Sequence, residues 1–187
     1  NDVNILCNFA NLKRELNDIK GSINFYEKAF KINNNLPIVL HNLAAAYQII
    51  GEFKLSIKYL KLLIKNFPKL TKAHKMLSDV IDYNKDNTHQ KEMLLKLKDN
   101  SYNDENKISL YFALAKSFED QKKFNESFNY TKKGNDISKK ILMKTEFSLK
   151  NEKDQFDNIK KIFKDINLNN NNNKNNRGKN LIFIIGL

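Results

Sequence analysis

Glycine and proline are scarce in this chain, at 5 and 2 in 187 residues. A β-sandwich or β-barrel needs many tight turns, and these two residues supply them, so an all-β fold is excluded. The single cysteine, Cys7, leaves no pair for an internal disulfide. That fits a reducing compartment and sets the expectation of a cytoplasmic protein. No stretch reaches the roughly 20 apolar residues that a membrane helix requires, and no membrane partner is expected. Arginine stands only at Arg14 and Arg177, although the formal net charge is +12. Nucleic-acid readers lean on the planar arginine fork for bidentate and stacking contacts. Here lysine is spread along the chain together with asparagine, so the positive charge reads as composition and solvated faces. A basic helical repeat that binds nucleic acid is kept as an alternative, to be told by affinity that falls steeply with salt.

Chemistry-bearing constellations are equally sparse. His41, His74 and His89 are the three histidines, and none has a second ligand at i+3 or i+4 that makes a convincing metal site. Cys7 has no histidine at a spacing that suggests a nucleophile pair and reads as a small buried hydrophobe. "GKN" at 178–180 lacks the upstream glycine and the Ser/Thr of a phosphate loop. No catalytic, metal or cofactor site is expected in this chain, and the chain as given is not expected to be an enzyme.

What is present is a repeat. Residues 3–36 set over 37–70 bring Leu6 onto Leu40, Asn8 onto Asn42, Phe9 onto Leu43 and Ala10 onto Ala44. Further along, Asn17 falls on Gly51, Ser22 on Ser56, Ile23 on Ile57 and Tyr26 on Leu60. Each unit reads as helix, tight turn, helix. Ala10 and Ala44 are small where two helices must approach closely, and Ser22 and Ser56 answer them from the facing helix. Asn17 and Gly51 sit where the turn calls for a positive φ, which Gly tolerates best and Asn next. Pro37 and Pro68 lie between units, where Pro stops or starts a helix. Phe9, Tyr26, Leu40, Leu43, Tyr47, Leu60 and Leu63 recur at helical spacing and are expected to form a shared core.

This pattern resembles the tetratricopeptide repeat. "LHNLAAAYQIIGEFKLSIKYLKLLIKNFP" (40–68) carries Leu43, Ala44, Tyr47, Gly51, Ser56, Leu60 and Pro68 in the family's order. "NFANLKRELNDIKGSINFYEKAFKIN" (8–33) does so too, with Lys13 in place of the usual aromatic. A third unit starts near Thr71, with Leu77, Ser78 and Ile81 in register and "THQKEMLLKLK" (88–98) as its second helix after an irregular turn. A fourth shows Leu114, Ala115, Phe118, Phe124 and Ser127, after a slip of about three residues that a surface turn absorbs at little cost. The expected architecture is all-α: a right-handed αα solenoid over 1–166, with units at about 3–36, 37–70, 71–104 and 108–144. Four units suffice to stack a continuous core. A helix at 151–166 with Phe156, Ile159, Phe163 and Ile166 on one face is expected to cap the stack.

Residues 167–180, "NLNNNNNKNNRGKN", cannot offset their own chain entropy and read as a disordered linker. "LIFII" within 181–187 then reads as a strand buried on both faces, the first of a further domain. The arrangement resembles bacterial proteins in which tetratricopeptide repeats precede a sulfotransferase domain. That resemblance implies that 3′-phosphoadenosine 5′-phosphosulfate (PAPS) would be bound by a loop following such a strand. None of that family's donor-binding or catalytic residues lies in this chain.

One site can be named. Asn8 and Asn42 occupy equivalent positions on first helices, and Asn11 lies three residues beyond Asn8. A primary amide both donates and accepts, so it can pair with a peptide unit. Lys72 and Lys75 on the adjoining first helix would attract an acidic segment. The expected partner is a protein or peptide segment held in the concave groove. The alternative makes the repeats purely structural, with all chemistry in a downstream sulfotransferase domain.

Overall fold

The computed structural model describes residues 2–144 and 149–164. The described residues form helices α1 (Val3–Glu15), α2 (Ile19–Ile32), α3 (Pro37–Ile49), α4 (Phe53–Asn66), α5 (Lys72–Ser78), α6 (Thr88–Lys98), α7 (Asp104–Asp120), α8 (Phe124–Lys144) and α9 (Leu149–Lys164). The fold is an all-α solenoid, as the repeat predicts. The chain divides into two compact units, 1–141 and 142–187, and α8 runs across the boundary. The second unit contributes α9, with Phe156 and Ile159 on one side of it and both at least half exposed. Ile166, the linker at 167–180 and the expected strand at 181–187 lie outside the described residues. So does the side chain of Phe163.

In the first unit α1 pairs with α2 and α3 with α4, and α2 packs on α3. Ala10, Ala44, Ser22 and Ser56 are all fully buried. Their small size lets the paired helices close. Ser22 further satisfies its hydroxyl by donating to the Ile19 carbonyl at 2.8 Å.

Three turns repeat one geometry. Asn17 (φ 60), Gly51 (φ 78) and Lys122 (φ 59) take the left-handed conformation after α1, α3 and α7. At each, the next amide reaches back across the turn: Asp18 N–H to the Lys13 carbonyl at 2.8 Å, Glu52 to Tyr47 at 2.9 Å, Lys123 to Phe118 at 2.9 Å. This is the Schellman closure of a helix C-terminus. Gly51 and Lys122 stand 71 residues apart, two repeats plus three, which places the register slip in unit three. A Cβ on Gly51 would meet nothing within 4 Å, so an alanine there costs only conformational energy. Gly51→Ala should therefore lower stability by about 1 kcal/mol. Lys122→Gly, the reverse change at the equivalent turn, should raise it by a few tenths to about 1 kcal/mol. Urea midpoints of the two variants check both signs.

Unit three departs from the pattern. Its first helix, α5, has 7 residues where α1 and α3 have 13. The stretch that would continue it, "DVIDYNKDN" (79–87), is rich in Asp and Asn, whose side chains cap and turn rather than extend a helix. Asp82 accepts from the Asn84 amide at 3.1 Å and Asp86 from the Thr88 amide at 2.8 Å. Ile81, expected on the first helix, lies beyond its end. The fourth unit begins at Asp104 rather than 108, because Asn103 caps α7 by accepting from the Asn106 amide at 2.9 Å. In α8, Gly134 lies where a Cβ would sit 3.1 Å from the Phe112 ring, so the helix approaches α7 closely there.

The continuous apolar spine expected of four units is instead two clusters. One runs from Cys7 to Leu77 through α1–α5, and the other gathers Tyr83, Met93, Tyr102, Leu110, Ala113 and Leu114. Ile81 packs on both. His74, Ser78, His89, Gln90 and Ser117 are buried polar residues of units three and four. Phe9 is a second correction. The repeat places it in the core, but it is 50% exposed, because no described residue covers that side of α1.

Candidate functional site

The first helices α3 and α5 lie side by side in the stack and carry equivalent residues at equal intervals. Ile38 and Lys72 are 34 positions apart, as are His41 and Lys75. The chain between α4 and α5 folds over as Phe67-Pro68-Lys69-Leu70, with Leu70 N–H donating to the Phe67 carbonyl at 2.9 Å. That turn brings Leu70 beside α3. The result is a groove of about 340 Å³, walled by Pro37, Ile38 and His41 from α3 and by Leu70, Lys72 and Ala73 from the α5 side, with Leu63 at its base. Ile38 and Leu70 are 56% and 45% exposed. Two large aliphatic side chains thus stand open to water across an apolar floor. Lys72 is exposed at the rim and has no acidic partner among the described residues.

The five residues read from the sequence as a binding set fall in different surroundings. Lys72 lines the groove. Lys75 does not; its ammonium pairs with Asp79 at 2.5 Å, one helical turn on. Asn42 is buried, its side-chain oxygen 3.3 Å from His41 Nδ1, the nitrogen placed to donate to it. Asn11 accepts a hydrogen bond from the Tyr26 hydroxyl at 2.5 Å, so its carbonyl serves the α1–α2 pair. Asn8 is exposed. The repeat register places Asn8 and Asn42 at equivalent backbone positions, but burial depends on what each helix meets, which the register does not contain. The apolar lining was missed for a related reason. Ile38 and Leu70 are large aliphatic residues, and helical spacing alone does not indicate that they face solvent.

A larger cleft, of about 380 Å³, is built by the second helices α4 and α6. Lys61, Lys65 and Lys96 line it together with Asp86 and Glu92. Lys96 pairs with Glu92 at 3.4 Å, so the cleft partly neutralises itself and presents no convergent field.

The buried polar layer is the other feature that sequence reading did not assemble. Tyr83 OH lies 2.6 Å from His89 Nδ1, and His89 Nε2 lies 2.8 Å from His74 Nδ1. The imidazoles stack with centroids 5.1 Å apart. Tyr83 donating to His89, and His89 to His74, leaves one donor unused, the buried His74 Nε2, which has no partner. The opposite direction would also strand the tyrosine proton. In the favoured direction both rings are neutral, and each acceptor nitrogen is already taken. Burial, the neighbouring ring and Lys96 bring His74 down to about 3. Burial, with Lys61 and Lys96 facing it, brings His89 down to about 4. Burial also pushes the Tyr83 phenol well above its ordinary range. Nearby, Gln90 donates to Ser117 at 2.9 Å and accepts from Gln121 at 3.1 Å. His74 and His89 stand 15 residues apart across an irregular turn, a separation to which no periodicity points. Among the described residues no group of three or more His, Cys, Asp or Glu side chains is placed to hold a metal, and no helix is long and apolar enough to cross a membrane.

Residues 3–36 match the family model described as tetratricopeptide repeat. Among solved structures, the crystal structure of MamA is similar with a TM-score of 0.59 and 19% identity, over 76% of this chain and 82% of that one. The structure of MamA AMB-1 in a P212121 crystal has a TM-score of 0.55 and 14% identity, over 80% of this chain and 76% of that one. No curated protein matches the chain. The chain thus carries a tetratricopeptide repeat at its first unit and shares the helical-repeat fold of those structures.

Proposed function

We propose that this protein is a non-catalytic scaffold that binds an extended protein segment on the face formed by α3 and α5. The observation that carries the reading is the groove between them: Ile38 and Leu70 open to solvent over Leu63 and Ala73, with Lys72 at the rim. A stable helix surface ordinarily places polar residues at such positions, and a contiguous apolar patch marks an interaction site. The geometry suits a segment with one large apolar side chain and an acidic group within reach of Lys72. Burying such a side chain is worth about 1.5–3 kcal/mol, which makes it the anchor. A solvent-exposed ion pair adds about 0–1 kcal/mol, so Lys72 selects rather than holds. Asn8, exposed on α1, is available to pair with the segment's backbone.

A peptide array tests this. Wild-type protein should enrich peptides that combine Leu, Ile or Phe with Asp or Glu. Ile38→Asp and Leu70→Asp should each weaken the enriched peptides by tenfold or more with unchanged helicity. Lys72→Glu should weaken acidic peptides by about two- to fivefold and leave neutral ones alone. Equal binding by wild type and Ile38→Asp would refute the groove.

The resemblance of "FALAKSFEDQKKFNESFNYTKKGN" (112–135) to the last repeat of sulfotransferase-linked arrays favours a second reading, in which this scaffold serves a PAPS-dependent domain. The coding sequence beyond Leu187 tests it: a Pro-Arg-Ser-Gly-Thr continuation supports that reading, and a stop codon removes it.

A further inference from the structure

We propose that a stripe of lysines on α4 binds the phosphate backbone of a nucleic-acid duplex without reading its sequence. Lysine is spread along the chain but not evenly around the fold. The second helices α2, α4 and α6 carry 10 lysines against 2 glutamates. The first helices α1, α3 and α5 carry 4 basic residues and 1 glutamate. On α4 the lysines are Lys54, Lys58, Lys61 and Lys65, at intervals of four, three and four residues, so they share one face. All four are exposed, and the helix contains no acidic residue.

The fold does not neutralise this stripe. Among the described residues, ion pairs engage Lys13 of α1, Lys75 of α5 and Lys116 of α7. Within α2, α4 and α6 they engage only Lys96, which holds Glu92 at 3.4 Å. Glu27 on α2 is taken by the Tyr47 hydroxyl at 2.6 Å. Asp86 feels Lys61 and Lys91, but it accepts from the Thr88 amide at 2.8 Å. Like charges one helical turn apart oppose helix formation, so the stripe does not stabilise α4. The helix is held by its other side, through Tyr59, Leu60 and Leu63. Its neighbours extend the positive surface. Asn66 at the end of α4 donates to Asn35 beyond α2 at 2.9 Å, and α6 shares a cleft with α4 and brings Lys91 and Lys98.

The chemistry of the stripe selects its occupant. Lys54 to Lys65 spans about 16 Å along the helix, a length over which a duplex presents on the order of ten phosphate charges. Lysine is a hydrated point charge that meets a phosphate from many directions, whereas base reading calls on the arginine fork. Neither arginine lies on α2, α4 or α6. A single strand is held by stacking its bases on open aromatic rings, and Tyr59 of α4 is buried. A lipid surface is the competing polyanion. Helices that lie on it set apolar side chains among the headgroups. After Phe53 at its first position, the exposed residues of α4 are the four lysines and Asn66. None of the four lines the α3–α5 groove, so the two surfaces are separate.

Fluorescence anisotropy of the full chain with two DNA duplexes of unrelated sequence, each about 20 base pairs, tests the proposal over about 50–200 mM salt. The two duplexes should bind alike, with log K falling against log salt at a slope of about −4 to −6. Lys54→Gln, Lys58→Gln, Lys61→Gln and Lys65→Gln combined should flatten that slope by about 3–4 and weaken binding about a hundredfold at 0.1 M salt. This variant should keep its helicity and melt at or above the parent, since the like-charge repulsion is gone. A charge-matched control changes Lys132, Lys133, Lys139 and Lys140 of α8 to Gln; these form two adjacent pairs rather than a stripe. It should weaken binding by less than about fivefold, since salt screens charges beyond the contact. Three results overturn the proposal. The first is that neither duplex binds at the lowest salt. The second is an equal loss in both variants, which assigns the effect to net charge. The third is that vesicles with about 30% phosphatidylserine hold the protein more tightly than the duplexes do and release the α4 variant, which assigns the stripe to a lipid surface.

Discussion

Acidification from pH 7 to pH 4.5 should remove about 4–5 kcal/mol of folding stability, most of it through His74 and His89. Both are neutral in the folded chain, at about 3 and about 4, because the fold withholds water and already uses their acceptor nitrogens. In the unfolded chain they return to the ordinary value near 6.5. Below that value the unfolded state binds protons that the folded state does not, so stability falls as pH falls through about 6.5 and continues to fall to about 4. Each histidine contributes about 1.4 kcal/mol per pH unit in this window. A domain of ordinary stability has only about 5–15 kcal/mol to lose. The carboxylates act lower. Asp18, Asp82, Asp86 and Asp99 are held below the usual range by backbone amides and neighbouring side chains, and their contributions vanish as they protonate below about pH 4. Urea unfolding at pH 7, 5.5 and 4.5 separates the two windows. His74→Gln with His89→Gln should flatten the loss between pH 6.5 and 4.5, whatever it does to stability at pH 7. An unchanged slope in that double variant would show that the buried pair is not the acid-sensitive element.

Tyr26→Ala is the most damaging single core change expected, at about 3–5 kcal/mol. The ring is fully buried between the first two pairs, and its hydroxyl donates to Asn11. Truncation removes the whole ring and leaves a cavity that the close α1–α2 crossing cannot collapse into. Tyr26→Phe removes only the hydroxyl. Its cost should stay near 1 kcal/mol, since the freed Asn11 carbonyl is half-buried and can take a water. The position of the damage is as informative as its size. Each repeat contacts only its neighbours, and the apolar core is interrupted at His74 and His89. Hydrogen exchange on Tyr26→Ala should therefore quicken in α1–α4 and leave α7 near its wild-type rate. A uniform increase along the first unit would mean that the polar layer transmits folding as well as an apolar one.

The helix pairs were readable because their causes are local. Ala10, Ala44, Ser22 and Ser56 announce close crossings by being small at a fixed interval, and all four are buried. Asn17 and Gly51 announce positive φ by tolerating it. Lys122 takes the same conformation without any such marker, because the Schellman hydrogen bonds of the turn outweigh the preference of one side chain. The binding residues were less readable. Lys72 lines the groove, whereas Asn11 is engaged by Tyr26 and Asn42 is buried, since an amide that can hold a peptide can equally hold its own fold.

Residue spacing alone dictates that the chain coils into paired helices and which side chain in each pair faces its mate, because both follow from the 3.6-residue period and a 34-residue repeat. Spacing is silent on how unit three breaks off at Ser78, how His74 meets His89 across 15 residues, and which apolar faces end up covered. Those outcomes depend on which surfaces come together in space, and a side chain's burial, charge state and availability follow from its neighbours rather than from its place in the repeat.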